Sequence, residues 1–315
     1  MALHERVKTA LDETRTLILG AQILLGFQFR GVFEERYDAL PPQARAMDGW
    51  ALALMLLAAG LLIAPSAFHR IAERGESTGR FTATTGRFAA AALLPFAAAL
   101  GLDLAIAMGR VLGSVWAGEV AGAGFGLLAL AGWYGVGEAM KRRTGAAERR
   151  KADSERGARE SAPLHARIEH MLTEARVILP GAQALLGFQL AIVLTSAFER
   201  LPEVSRLLHG AALLCVAATV ILLITPAALH RIVWAGEDSE GLLQAGGRLT
   251  VAALAPLALG TAADAYVVFT RITESPGAGV VTASAVAVAL FGLWFVWPMA
   301  AARPCRDAVA VPGAD

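Results

Sequence analysis

Apolar runs of 17 or more residues, each bounded by charge, appear four times in the first half of the chain and four times in the second. In the first half they are Leu17–Phe33, Trp50–Phe68, Phe88–Gly109 and Val120–Gly137; in the second, Ile178–Leu194, Ala211–Leu229, Leu249–Phe269 and Val280–Pro298. A bilayer core about 30 Å thick takes roughly 17–25 apolar helical residues, so each run is long enough to span. Helices of a soluble bundle keep a polar face, whereas these runs are apolar all round. The pattern predicts an all-α membrane protein of eight transmembrane helices.

Before each first span the period changes. Leu3, Val7, Ala10 and Leu11, and again Leu164, Ile168, Met171 and Leu172, recur at helical spacing among charged residues. Both stretches are predicted to be amphipathic interfacial helices, with His4, Glu5, Arg6, Lys8, Asp12 and Glu13 left in water. The first run is not read as a signal peptide, because the same segment recurs in mid-chain and no small-residue cleavage pattern follows it.

The two halves are copies. A shift of 161 positions aligns Leu3 to Lys141 with Leu164 to Ala302 without a gap. Gly20-Ala21-Gln22 and Gly26-Phe27-Gln28 return as Gly181-Ala182-Gln183 and Gly187-Phe188-Gln189, and Pro65, His69 and Arg70 return as Pro226, His230 and Arg231. The predicted organisation is a four-helix repeat over 1–143, a charged linker over 144–163, a second four-helix repeat over 164–303 and a tail over 304–315. An even number of spans per copy gives the repeats the same orientation, so they are parallel, and a two-fold along the membrane normal is predicted to relate them.

Charge adds direction. Arg70, Arg74, Arg80 and Arg87 lie between spans two and three, and Lys141, Arg142, Arg143, Arg149, Arg150, Lys151, Arg156 and Arg159 follow span four; between spans three and four there is only Arg110. Basic residues in short connections favour the cytoplasm, so both termini and the linker are predicted to be cytoplasmic, in a cell inner membrane. Overall composition adds little: 56% hydrophobic residues and mean hydropathy +0.54 agree with membrane insertion, and a net charge of +1 gives no reason to expect nucleic acid. Expected partners are membrane lipids, with anionic headgroups at the cytoplasmic face, and a membrane protein partner of unknown identity. Cys215 and Cys305 have no redox or metal spacing.

With Gly-Ala-Gln and Gly-Phe-Gln in the first span and Pro-x-x-x-His-Arg closing the second, the chain resembles a family of bacterial four-span integral membrane proteins classed as a domain of unknown function. Leu179-Pro180-Gly181-Ala182-Gln183 resembles that pattern more closely than the first copy, which has Leu19 where Pro180 stands. The resemblance covers nearly the whole chain as a tandem duplication. It implies a fold and a location and carries no activity.

Candidate chemistry lies in the repeated polar residues. Asp103 and Asp264 sit inside third spans, eight residues after Pro95 and Pro256, and ionisable groups at such depth are functional suspects. Two readings are open. The aspartates form an ion or solute site with Gln22, Gln28, Gln183 and Gln189, or each pairs with the arginine two turns on, Arg110 or Arg271, while the glutamines hold helices together. A second cluster is expected at the cytoplasmic ends: Glu13, Arg15, His69, Arg70 and Arg87, matched by Glu174, Arg176, His230, Arg231 and Arg248. There the readings are headgroup binding with histidine pH sensitivity, or locks in which Glu13 and Glu174 pin the amphipathic helix to spans two and three. No nucleophile elbow, phosphate loop or His-Glu-x-x-His helix occurs, so no enzyme, cofactor or metal is expected. The predicted function is a non-enzymatic structural or accessory membrane protein, with transport of protons, cations or a small solute as the alternative.

Overall fold

The computed structural model describes residues 3–135, 159–160, 163–232 and 238–302. Four long helices make the first repeat: α1 (Leu3–Gly31), α2 (Pro42–Ile71), α3 (Gly79–Leu112) and α4 (Val115–Leu130). The second repeat follows the same order with α5 (Leu164–Ile192), α6 (Glu203–Ile232), α7 (Glu240–Thr273) and α8 (Pro276–Phe291). Among the described residues seven helices are long and apolar enough to cross a bilayer; α1 contributes the shorter apolar segment Leu17–Gly31. Its counterpart α5 does qualify, so the two first helices differ in composition and not in length.

The local signals repeat with the sequence. Thr78 and Ser239 cap α3 and α7 by accepting from the N–H three residues on, and Ser114 and Ser275 do the same for α4 and α8. The α3 and α7 helices end in the left-handed region at matched positions, Gly113 and Glu274. Glycine adopts that conformation freely; Glu274 adopts it against its Cβ, and its carboxylate pairs with Arg45 at 3.3 Å. After α4 and α8 comes a five-residue π-helical turn in the same register, Ala131–Gly135 and Gly292–Val296.

Three expectations change in the structure. The amphipathic stretches are not separate elements, because each runs without a break into the following span as one helix of 29 residues. No proline or glycine separates the two periods at either junction, so nothing ends the hydrogen-bond ladder there. Of the linker, residues 144–158 and 161–162 lie outside the described residues, while Arg159–Glu160 (β2) pairs antiparallel with Ser77–Thr78 (β1).

The predicted two-fold is only approximate. The first helices α1 and α5 pack along each other, with the Phe27 and Phe188 rings 4.7 Å apart toward their C-terminal ends and Phe188 lying over Gly26. Beyond that contact the copies diverge. The α2 helix is enclosed, 78% of its apolar window buried, because it also packs on α7, α8 and the π-turn of the second repeat; the matching α6 is 28% buried. Trp294 in that π-turn is buried and donates its indole N–H to the Gly60 carbonyl of α2 at 2.9 Å, whereas its counterpart Trp133 is 39% exposed.

The tightest helix contact lies within the first repeat. Gly118, Gly122 and Gly126 of α4 face Gly101, Ala105 and Gly109 of α3, and no room remains for a β-carbon at Gly118 or Gly122. Small residues four apart let backbones approach in this way.

Candidate functional site

Three polar groupings lie within the helical body. The first is at the end where α2 finishes and α5 passes. Glu174 of α5 is completely buried and receives the Arg70 Nε–H on one carboxylate oxygen while His69 Nδ1 meets the other. His69 and Arg70 close α2, so the lock joins the second repeat to the first rather than pinning helices within one copy. His69 is itself fully buried, with Phe81 against its ring and His170 6.2 Å away. Arg70 extends along Gly75, where a side chain would crowd it, and lies at ordinary contact distance from Gly247.

Among the described side chains, the remaining members of that predicted cluster lie outside this contact. Arg15, Arg87, Arg176 and Arg248 are exposed, as basic groups at helix ends are when they face headgroups or water. His230 is half-buried at the matched helix end. The side chains of Glu13 and Arg231, which would complete a second lock by symmetry, lie outside the described residues.

The second and third groupings are repeat-related and lie toward the opposite end. In the first repeat Gln28 Nε2 donates to Asp103 Oδ2 at 2.9 Å, tying α1 to α3. In the second, Gln189 Nε2 donates to Asp264 Oδ2 at 2.6 Å, tying α5 to α7. The sequence reading that paired each aspartate with the arginine two turns on is overturned. Asp103 and Asp264 turn inward to the glutamines, Arg110 is exposed, and Arg271 reaches the connection after α1, where its guanidinium donates to both oxygens of Asp38 at 2.7 Å. Arginine at a helix end gains more by reaching a solvated carboxylate than by following one into the helix packing.

Gln22 and Gln183 are not part of either grouping. Gln183 is exposed; Gln22 is buried against Gly181 and lines an apolar cavity of about 20 Å³ with Gly60, Thr261 and Trp294. That volume holds one water, for which Gln22 and Thr261 supply polar partners.

Each repeat adds a residue that the sequence comparison passes over. His209 of α6 places Nδ1 3.2 Å from Asp264 Oδ1 and Nε2 3.1 Å from the Gln189 carbonyl. At the matched position of the first repeat stands Asp48, whose carboxylate accepts from the Tyr37 hydroxyl at 3.1 Å and lies within electrostatic range of Asp103. The Tyr37 counterpart, Phe198, lies edge-on to the His209 ring at 5.5 Å. Asp48 and Tyr37 in one copy thus become His209 and Phe198 in the other, a coupled exchange that comparing identical positions cannot detect. Burial first, and then the charge of Asp48, push the Tyr37 hydroxyl above its ordinary range and keep it a donor.

The Asp38–Arg271 pair has a definite pH signature. The hydrogen bond from Arg271 holds the Asp38 carboxyl below its ordinary range. A depressed carboxylate contributes stability above its unfolded value, and that contribution is lost as pH falls through the folded one, below about pH 4. Asp38→Asn is expected to flatten the acid limb of the melting temperature against pH by about 1–2 °C, since an exposed pair contributes less than about 1 kcal/mol. A thermal melt series from pH 3 to 7 checks this.

Among the described residues no group of three or more His, Cys, Asp or Glu is placed to hold a metal ion. Cys215 is a free thiol, half-buried; Cys305 lies outside the described residues.

A repeated bundle of apolar helices, with its polar groups turned on one another, fits an integral membrane protein of unknown activity. The family model described as a family of unknown function, DUF6328, matches residues 3–137 and again 160–298, and the chain belongs to that family as a tandem duplication. No curated protein and no solved structure gives a match.

Proposed function

We propose that the protein is an eight-span, non-enzymatic structural or accessory component of the cell inner membrane, acting through its packed helices and its basic face. Leu17–Gly31 serves as the first span, supported by the match of α1 to α5. The amphipathic turns that open both helices lie at the cytoplasmic boundary, where Arg15, Arg87, Arg176 and Arg248 meet anionic headgroups, and both termini and the linker are cytoplasmic. The carrying observation is that the intramembrane polar side chains are used in holding helices together: Gln28 on Asp103, Gln189 on Asp264, and Glu174 on His69 and Arg70. Buried polar contacts of this kind fix which helices pair and in what register.

Proton flux into liposomes carrying the purified protein tests the reading. Flux equal to that of empty liposomes is expected, both for the wild type and for the Asp103→Asn, Asp264→Asn variant. Flux that the double variant abolishes would replace this reading with transport. Cells lacking the protein are expected to show altered envelope integrity or loss of a co-purifying membrane protein, and an unchanged envelope and partner set would count against it.

A further inference from the structure

At the end opposite the Glu174 lock, α6, α7 and α8 border a groove of about 440 Å³. Its walls include Val204 and Leu208 of α6, Tyr266 of α7, and Val280, Ala283 and Ala287 of α8, with Val204 and Val280 more than half exposed. The first repeat closes the same place. Gln43 and Glu119 stand at the positions of Val204 and Val280, and the Gln43 amide donates to the Glu119 carboxylate, tying α2 to α4. Beneath that staple Gly122 and Gly126 lie on Gly101. In the second repeat Gly279, the counterpart of Gly118, still meets Thr270 and Tyr266. Past it, Ala283, Ala287 and Tyr266 replace Gly122, Gly126 and Ala105, and these larger side chains keep α8 from approaching α7 as α4 approaches α3. The staple and the glycines are thus lost together, and an apolar groove stands in their place.

The groove runs from Val280 to Ala287, about 10 Å along α8, which fits within one leaflet of a core about 30 Å thick. Left empty, its lining atoms would forfeit their contacts, so an apolar species of the bilayer fills it. A polar basin adjoins it. Pro276 stands one turn before Val280, Thr270 one turn after Tyr266 and Pro202 two residues before Val204, and all three line a space of about 290 Å³ together with Asp38, Arg200 and Arg271. Asp38 is paired with Arg271, and Glu274, which also lines the basin, with Arg45, so Arg200 is the excess positive charge of that set. Ala39 holds the matching position in the first repeat, where the groove is closed.

We propose that the second repeat holds a phospholipid, one acyl chain lying in the groove between α6 and α8 and the phosphate meeting Arg200 in the basin. Lipid tails are as apolar as the groove, so shape and dispersion seat the chain, and the charge-assisted contact to the phosphate holds that lipid longer than its neighbours. The inference goes beyond the structural role proposed above and needs only that these helices lie in a bilayer.

The test is thermal stability of the full-length protein in detergent, titrated with phosphatidylglycerol or with diacylglycerol of the same chains. Phosphatidylglycerol is expected to give a saturable rise of about 3–6 °C, and diacylglycerol, which lacks the phosphate, less than about a third of it. Ala283→Leu, which fills the groove from α8, is expected to remove the rise. Val204→Gln with Val280→Glu, which installs the first repeat's staple at exposed positions, serves if that variant does not fold, and the same loss is expected. Arg200→Ala should raise the half-saturating phosphatidylglycerol concentration about five-fold or more. The proposal is overturned if the wild type shows no rise, if the groove variants keep it, or if diacylglycerol matches phosphatidylglycerol. A wild-type dimer that Ala283→Leu splits would also overturn it, since a second copy would then occupy the groove.

Discussion

Replacing Glu174 with alanine is expected to lower the melting temperature by about 5–10 °C and to loosen the two repeats from each other. Glu174 is the carboxylate that Arg70 meets among the described residues, and the side chain of Arg70 is only 6% exposed. Removing one partner of a buried pair leaves a charge with neither water nor counter-ion, at a cost of about 3–5 kcal/mol. His69, fully buried, loses the acceptor of its Nδ1 in the same step. Glu174→Gln should recover part of the loss, because the amide oxygen still accepts from Arg70 although the charge is gone. The triple change Glu174→Leu, His69→Leu, Arg70→Met should recover most of it, since an apolar replacement of a whole buried cluster is often neutral. Differential scanning fluorimetry in detergent reads all three. A single replacement no more harmful than Arg176→Ala, at an exposed position, would remove the lock from the account of how the repeats join.

That lock also shows what the sequence could not reveal. Its members are legible one by one, because Glu174, His69 and Arg70 each have a copy 161 residues away. Which copy pairs with which is not legible: self-similarity predicts contacts within a repeat and between repeats equally well, and here Glu174 crosses to the other copy. The apolar helices and the duplication were readable, since apolar length and self-similarity are local signals, whereas the caps Thr78, Ser114, Ser239 and Ser275 entered only with the structure. The pairing of Gln28 with Asp103 brings together residues 75 apart, and its repeat in Gln189 and Asp264 was foreshadowed by both being retained. Asp48 and His209 were hidden for the opposite reason, since a search for repeated residues discards the positions where the copies part. Gln22 and Gln183 illustrate the remaining gap. Both follow the same Gly-Ala pair, yet Gln22 is buried on Gly181 while Gly20 has open space beside it, because the crossing of α1 and α5 is not symmetric.

The second large effect is expected from Gly122→Leu, through shape alone. A β-carbon at Gly122 would fall on the Gly101 carbonyl and on Ala105, both set by the backbone of α3 and unable to swing aside as a side chain end could. Even alanine there forces α4 outward, and leucine must separate the helices by the width of a side chain, undoing the contacts at Gly118 and Gly126 as well. Overpacking costs about 1–3 kcal/mol where neighbours adjust, and more where they cannot. The expected fall in melting temperature is therefore about 5 °C or more. Gly124, two residues on, has nothing within 4 Å of its β-carbon position, so Gly124→Leu has the same composition and helix propensity and is expected to change little. Equal losses in the two variants would mean that the fall does not come from the α3–α4 contact, since leucine is the better helix former at both positions. The second repeat supplies a natural comparison: Ala283 and Ala287 stand where Gly122 and Gly126 stand, opposite Ala262 and Tyr266 in place of Gly101 and Ala105. Alanines on α8 require a wider spacing from α7, so the reverse change Ala283→Leu should be tolerated better than Gly122→Leu, and the difference between them measures how much closer the first repeat is packed.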